Sequence, residues 1–476
     1  MPLLKDYPQF QKIQDIAKRK RKAIFLVGGF VRDHLSGRPG LDFDFAVEKD
    51  ALGLARSFAR TIRGAFVLLD EEHGCARVVK KAAGRIQTFD FADFRAKTFL
   101  GDLAHRDFTV NTLAVDLRRL KPSDELEDVL LDARGGVKDL KARRLRMVGP
   151  HVFREDPLRI LRAFSLRAVL DFRIEQKTLR QIKKDKELIQ DVSRERVRDE
   201  LFKILQTPTA CRYLKMMDRI GLLKRVIPHI TLMYGVKQGT YHHLDVWPHS
   251  LETVCQLEEI FKQEADEKIL FCLDEEIAGQ RSRRAIMKLA ALLHDIGKPE
   301  ARKKEPGRIS FHGHERIGRT LAKGVAQSLK LSSKERFALK DMILWHLRPG
   351  YLSNFKKPSE RAYYRYFRDT KDEAASIALI SLADQRSTRG PLTTEADQRH
   401  HEKICREILR RYFARKKEKP FVRFVNGNDL IRIFHLSPSP LFGKILDQIE
   451  EKQVTGKVTT REEALALART LIEKEH

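Results

Sequence analysis

Phe25 to Val47, FLVGGFVRDHLSGRPGLDFDFAV, gathers residue types suited to phosphate chemistry. Asp42 and Asp44 lie two apart in an apolar run, and side chains two apart on a strand leave the same face. Two carboxylates would project together, an arrangement able to hold a divalent cation. Upstream, Gly28-Gly29 closes an apolar strand and precedes a short helix opening at Val31-Arg32-Asp33. A turn without Cβ atoms lets backbone N–H groups approach a phosphate, and the helix start adds a favourable dipole. Either feature alone is common on protein surfaces. The order strand, turn, helix, Asp-x-Asp strand points to one place where phosphate and cation meet.

The GG-x-V-R-D and D-x-D pattern resembles that of the nucleotidyltransferase superfamily, in particular the class II tRNA nucleotidyltransferase and bacterial poly(A) polymerase family. Later stretches extend the resemblance. Arg106, Asp107 and Asn111 in HRDFTVNT match the family's RRDFT-x-NA motif, from which His105 and Thr112 depart. Asp and Asn there could pair with sugar hydroxyls; the plainer reading is a capped helix, with Asp107 or Thr109 as cap. Glu155, Asp156 and Arg159 match an E-D-x-x-R motif, in which Asp156 also reads as a helix N-cap and Pro157 as the first helical residue. Three residues apart, Asp156 and Arg159 share a helix face. An Asp acceptor beside an Arg donor complements an exocyclic amine next to a ring-nitrogen acceptor, the edge shown by both cytosine and adenine. Glu195, Arg196 and Glu200 resemble a further motif and read as a structural tie between helical turns. Asp90 reads as the end of a strand, a third catalytic acid being the other reading.

A second group of chemical residues follows: His249, His294-Asp295, His314, His346 and Asp384, in the order of the HD phosphohydrolase superfamily, with His312 as a substitute for His314. Imidazole and carboxylate ligands suit Mn, Fe, Co, Ni or Zn, and Mg²⁺ where oxygen and water dominate. The resemblance implies a metal centre hydrolysing phosphate esters.

The elements that must position these groups follow from pattern. Ala51–Ile62 has helical spacing, and Ala65–Leu69, Cys75–Val79 and Arg85–Phe91 read as strands, giving a small mixed sheet. Residues 1–22 read as one amphipathic helix, and helices are expected at Ile404–Phe413, Pro440–Gln453 and Thr460–Ile472, with a hinge at Gly390-Pro391. The expected fold is α+β: a nucleotidyltransferase head (1–146), a helical neck carrying the base-reading pair (147–230), an HD domain (231–395) and a helical tail contacting tRNA (396–476).

At 476 residues the chain is long enough for about three domains. Lys and Arg number 93 against 66 Asp and Glu, a net +27 spread along the chain, which favours a polyanionic partner. Five scattered cysteines read as reduced thiols of a cytoplasmic protein. Neither a signal peptide nor a membrane span is expected, and no protein partner is evident.

The resemblance then implies untemplated addition of CMP and/or AMP to the 3′ end of tRNA from CTP and/or ATP, with Asp42 and Asp44 binding Mg²⁺ and Gly28, Gly29 and Arg32 holding the triphosphate. The short stretch between Asp90 and His105 resembles the CC-adding branch. A poly(A) polymerase, or an HD phosphohydrolase with a degenerate head, are the other readings.

Overall fold

The computed structural model describes residues 3–38, 40–82, 84–239, 243–305, 308–390, 393–417 and 421–474. The chain forms two compact units, 1–204 and 205–476, so the division falls inside the stretch expected as the neck. Pro391, named in the sequence reading, lies outside the described residues.

The first unit is built on a seven-stranded mixed sheet. Its strands are β1 (Ile24–Val27), β2 (Asp42–Val47), β3 (Ala65–Asp70), β4 (Cys75–Ala82), β5 (Arg85–Asp93), β6 (Ala114–Asp116) and β7 (Leu130–Leu131), in the spatial order β3-β4-β5-β2-β1-β6-β7. The β2–β5 pair is parallel and the others are antiparallel. In β2 the sequence DFDF alternates polar and apolar, so Phe43 and Phe45 turn inward while Asp42 and Asp44 stay exposed. Phe43 stacks on Phe89 and Phe45 on Phe91, with ring centroids 5.0 and 4.9 Å apart. Burying such a ring contributes roughly 1.5–3 kcal/mol, and a one-residue slip of β2 would turn Phe43 and Phe45 outward. The register that stacks the phenylalanines below the sheet therefore sets Asp44 beside Asp90 above it.

The helix Ala51–Ile62 covers the apolar face, its Phe58 packing edge-on against Phe89 and Phe91. The N-terminal segment, expected as one helix, is two: Leu3–Asp6 and Pro8–Arg19. Pro8 lacks an N–H and disfavours helical backbone at Tyr7, which adopts φ −128° and ψ 72°.

The second unit is helical apart from two short hairpins. Its central helix, Ala374–Ser387, is buried along most of its length and packs against helices Val246–Gln263, Arg283–Leu293 and Glu395–Arg415. Cys211 and Cys255 were expected as separate thiols; folding brings their Cα atoms to 5.2 Å and the sulfurs are bonded. A separation of 44 residues gives the sequence no local signal for that pairing. The C-terminal helices Gly427–Phe434, Pro440–Val454 and Arg461–Glu473 enclose a small core of their own around Leu430, Ile445 and Ile449. Among the described residues, no helix is long and apolar enough to cross a membrane.

Candidate nucleotidyl-transfer site and metal centre

Gly28 ends β1 with φ +80°, a conformation that favours glycine, and a Cβ there would stand 3.2 Å from Asp44 Oδ2 and 3.4 Å from an Arg106 guanidinium nitrogen. The turn thus passes directly over the acidic strand. A cavity of 220 Å³ opens beside it, lined by Gly28, Gly29, Asp44, Arg106, Asp107, Asn111, Asp156 and Arg159. Three distant motifs of the sequence therefore meet in the first unit.

The polar groups hold one another in place. Asn111 donates from Nδ2 to Asp107 Oδ1 at 2.9 Å, and the Phe108 N–H donates to the same oxygen at 2.7 Å. Arg162 Nε faces Asp107 Oδ2 at 2.7 Å. Burial alone would push the Asp107 carboxyl up, but Arg162, Asn111 and the Phe108 N–H together hold it below the usual carboxylate range. Asp156 accepts from the Leu158 N–H at 3.2 Å, the capping contact its sequence position suggested, although the regular helix runs Leu158–Leu170 with Pro157 just outside it. Arg159 donates to the His105 carbonyl at 2.6 Å and to the Val152 carbonyl at 3.1 Å. Its Nε lies 4.0 Å from Asp156 Oδ2, so the two side chains form one side-by-side edge.

Arg32, expected to help hold the triphosphate, turns toward protein partners. It is 6% exposed, grips Asp33 through two hydrogen bonds of 2.8 and 2.7 Å and donates to Asn111 Oδ1 at 2.5 Å, and it does not line the cavity. Its position ties the first motif to the second. Arg196 departs in the other direction: read as a structural tie, it pairs with Asp156 at 2.8 Å and faces the cavity. Glu200 keeps the structural role, accepting from Ser165 and pairing with Lys203 at 2.7 Å. Arg95 and Arg162 also line the cavity and were not singled out from the sequence. Arg162 carried a usable signal, since it lies three residues beyond Arg159 on the same helix.

Asp42 stands at the exposed start of β2 and accepts from Thr88 Oγ1. Asp90 is held by Arg77 through two contacts of 2.7 Å. Desolvation in the cleft, followed by the neighbouring Asp90 and Asp42 carboxylates, pushes Asp44 above the ordinary carboxylate range, with Arg106 and Arg162 opposing. Crowded carboxylates at a strand end beside a cationic cavity fit a divalent cation arriving with a polyphosphate.

The second unit assembles all six residues of the HD pattern. His249 lies on Val246–Gln263, His294 and His346 follow directly on the helices Arg283–Leu293 and Ser333–Trp345, His314 opens the helix His314–Ser328, and Asp384 lies on the central helix. His294, His314 and His346 each turn Nδ1 toward the carbonyl three residues earlier, at 2.8, 2.8 and 2.7 Å. For the two at helix C-ends this satisfies a carbonyl the helix leaves free. It also fixes the tautomer, so that Nε2 carries the lone pair for a metal. His249 Nε2 lies 2.9 Å from Asp384 Oδ1, His294 Nε2 lies 3.2 Å from Asp295 Oδ2, and His314 Nε2 lies 3.3 Å from both Asp295 Oδ1 and His346 Nε2. His312 is exposed and outside the cluster. Gly297 permits the assembly, because a Cβ there would come within 2.1 Å of the His314 carbonyl oxygen.

Burial would push Asp295 and Asp384 up, yet His294 and Lys298 beside the first, and His249 and His294 beside the second, hold both well below the carboxylate range. Burial likewise opposes a charge on His294, but the two carboxylates raise it to about 10. Burial and the neighbouring His294 and His314 push His346 down to about 3, its neutral, ligating form. His294 Nε2 is buried without a directed hydrogen bond. The anionic field that holds a proton there is what a divalent cation would meet. Three overlapping ligand groups share His294, Asp295 and His346, which fits one metal or an adjacent pair.

Comparison with known proteins agrees with both centres. The poly A polymerase head-domain model matches residues 24–146, the model for the RNA and SrmB-binding site of polymerase A matches 171–233, the HD-domain model matches 246–389, and the model for tRNA nucleotidyltransferase domain 2 matches 421–468. An A-adding tRNA nucleotidyltransferase of Deinococcus radiodurans is 33% identical over 459 residues, covering 94% of this chain and 95% of that protein. A CC-adding tRNA nucleotidyltransferase of Geobacter sulfurreducens is 30% identical over 452 residues, covering 95% of this chain and 93% of that protein. The Thermotoga maritima CCA-adding enzyme, solved with tRNA, shares the fold at a TM-score of 0.61 and 23% identity, covering 99% of this chain and 96% of that one. With the mixed-sheet head, the helical HD unit and identity sustained along nearly its whole length, the chain belongs to the tRNA nucleotidyltransferase family.

Proposed function

We infer that the protein adds CMP and/or AMP, without a template, to the 3′ end of tRNA, taking CTP and/or ATP and releasing pyrophosphate. The observation that carries this is the cavity in which a glycine turn, an acidic strand and the Asp156–Arg159 edge converge within one unit. Mg²⁺ held by Asp42 and Asp44 supplies charge neutralisation at the phosphates and activation of the RNA hydroxyl. The chain's own residues do the rest. Gly28 and Gly29 leave room for the phosphates to approach the backbone. Arg106 and Arg162 offer positive charge where the triphosphate would lie, and Arg162 also keeps Asp107 ionised. Asp156 and Arg159 read the amine and ring nitrogen shared by cytosine and adenine, while Arg196 and the His105 carbonyl fix their positions.

We propose CC as the product, on the shortness of one segment. The stretch between β5 and the second motif is short and pinned: Phe99 stacks on Phe25 at 3.7 Å, and Asp102 accepts from the Arg95 N–H at 3.1 Å. A segment braced internally by that bond and held on β1 by Phe99 is poorly suited to reshaping the pocket for a switch to ATP. The test offers tRNA transcripts ending at the discriminator base, at C and at CC, with CTP, ATP or both, and reads products at nucleotide resolution. Arrest at CC is expected. Completion to CCA, or addition only to the CC end, overturns the product assignment and keeps the family reaction. Long A tails would reassign the enzyme as a poly(A) polymerase.

The four segments 1–146, 147–230, 231–395 and 396–476 would serve as head, neck, HD domain and tail. The HD centre would be a metal-dependent phosphohydrolase acting on phosphate esters, and its four imidazoles favour a transition metal over Mg²⁺. A cytoplasmic location accords with these substrates.

A further inference from the structure

A second cavity of the first unit, 870 Å³ in volume, shares no lining residue with the nucleotide cleft. Its walls are apolar, built from Leu35, Leu130, Val137, Leu140, Leu170 and Phe172. Arg38, Lys141 and Arg143 also line it, together with the carboxylates of Glu127 and Asp171. The three cations are exposed and make no ion pair among the described residues, whereas Asp171 already has a partner within the protein. Three free cations therefore stand against one free carboxylate, Glu127, around an apolar hollow. Small-molecule sites have this character, with apolar walls, a few placed charges and volumes of about 300–1,000 Å³.

The cavity lies at the far ends of the elements that build the cleft. The helix Gly29–Leu35 begins at the glycine turn over Asp44 and reaches the cavity with Leu35. The helix Leu158–Leu170 begins beside Asp156, presents Arg159 and Arg162 to the cleft, and reaches the cavity with Leu170. Its 13 residues span about 20 Å. The helix Gly136–Lys141 supplies Val137, Leu140 and Lys141, and it is clamped to the turn that carries Asn111. There Asp139 accepts from Thr109 Oγ1 at 2.6 Å, and a Cβ on Gly136 would come within 2.4 Å of the Thr109 carbonyl oxygen. The glycine turn, the Asn111 turn and the Asp156–Arg159 edge thus each rest on an element that also lines this cavity. Close-packed interiors transmit strain, so a displacement at the cavity is felt at the cleft.

An uncharged ligand would leave the three cations unused, and a small inorganic anion would leave the apolar walls in water. We propose that this cavity is an effector site for a small amphipathic anion, an apolar body bearing one carboxylate or phosphate, and that its occupancy changes the affinity of the cleft for the incoming nucleotide. The anionic head meets Arg38, Lys141 and Arg143, and the body displaces water from the apolar walls. The proposal rests on the reading of the cleft as a CTP or ATP site. Such a ligand acts at a distance only through different affinities for two states of the protein, and the coupling is reciprocal.

The test titrates decanoate, kept below its micellar concentration, into the full-length protein by calorimetry, beside octanoate, hexanoate and the cation decyltrimethylammonium. Each added methylene should tighten binding about four-fold, from about 0.8 kcal/mol per buried CH₂, and the cationic amphiphile should not bind. An Arg38→Ala, Lys141→Ala, Arg143→Ala variant should bind decanoate roughly five- to ten-fold more weakly, and an Arg38→Lys, Arg143→Lys variant should retain the affinity. Both should keep the original Kd for CTP when no decanoate is present. Saturating decanoate should shift the Kd for CTP by about five-fold or more, and saturating CTP should shift the Kd for decanoate by the same factor. No binding of decanoate, or equal binding by the alanine variant, would overturn the site. Binding without any shift for CTP would overturn the effector role. Loss of affinity for tRNA or for anionic vesicles in the alanine variant, with decanoate binding unaltered, would assign the cations to a polyanion and equally overturn the proposal. Failure of the unaltered protein to bind CTP at all would overturn the proposed function and the coupling with it, whereas failure of the coupling alone leaves CTP binding intact.

Discussion

Asp42 and Asp44 stand at the open end of one strand, whereas His249, His294, Asp295, His314 and His346 are each 5% exposed or less. The head offers two carboxylates and a cavity of arginines; the second unit offers four imidazoles and two carboxylates already turned toward one another. The supports differ as well. In the HD centre, three of the four histidines are oriented by main-chain carbonyls, which cannot titrate. In the head, Asp107, Asp156 and Asn111 are held by charged side chains. An open pair of oxygens suits a hard cation that arrives with its phosphates and leaves with them, while a closed nitrogen and oxygen cage suits a resident metal.

The largest effect should come from exchanging one group in each centre. Asp44→Ala should lower nucleotide addition by 10³-fold or more, on the order of the loss of a principal electrostatic stabiliser, and leave phosphate-ester hydrolysis within about two-fold, as expected of sites that share no partner. Asp295→Ala should do the converse and also lower the metal content of the purified protein, as read by elemental analysis. Parallel loss of both activities in either variant would break the comparison. Chelation should separate the centres next. After brief treatment with EDTA and desalting, nucleotide addition should return at once on adding Mg²⁺, and the HD metal should remain bound in the elemental analysis. Equal and rapid depletion of both would show that the HD cage is not preformed.

Arg196→Ala tests the support itself. Asp156 would lose a partner at 2.8 Å and keep the Leu158 N–H at 3.2 Å. A hydrogen bond between charged groups is worth about 1.5–3 kcal/mol, so kcat/KM for the incorporated nucleotide should fall roughly 10- to 100-fold. Discrimination against UTP should fall with it, because the acceptor that selects the amine is no longer fixed. An equal loss for every nucleotide would assign Arg196 to phosphate binding instead.

What was legible in the sequence had local causes. Asp42 and Asp44 could be placed on one face because the alternation of DFDF is the strand period itself, and the phenylalanines that alternate with them stack beneath the sheet. The six HD residues are the exception, since they could be named only because their order resembles that of the HD phosphohydrolase superfamily. Arg95, in the bend after β5, and Arg162 escaped because a single arginine looks alike whether it meets solvent or substrate, and Arg196 was named but read only as a tie between turns. Only packing brings Arg162 to Asp107 and Arg196 to Asp156. Arg32 was named for the triphosphate from its motif position, and nothing in the sequence signalled that Asp33 and Asn111 would also be its partners.

The contrast between titratable and main-chain supports leads to the smallest effect, one of stability. Asp139 is fully buried, accepts from Thr109 Oγ1 at 2.6 Å and pairs with Arg144 and with Arg146, the latter at 2.7 Å, so it fixes the turn that carries Asn111. Burial would push its carboxyl up; Thr109, Arg144 and Arg146 together hold it below the ordinary value. The folded state therefore binds fewer protons than the unfolded chain. The stability this supplies is fully present above the unfolded carboxyl pKa of about 3.9 and is lost as pH falls through the lower folded value. Asp139→Asn strands two guanidinium groups and should cost about 3 kcal/mol near neutral pH. For a unit of this size that is about 6–12 °C in Tm. Thermal unfolding of both proteins between pH 3 and 7 should show a gap that is constant above about pH 5 and closes below it. A gap that persists unchanged to the lowest pH would mean that the asparagine is penalised by shape and not by charge, and the head would then rest, like the HD centre, on supports that do not titrate.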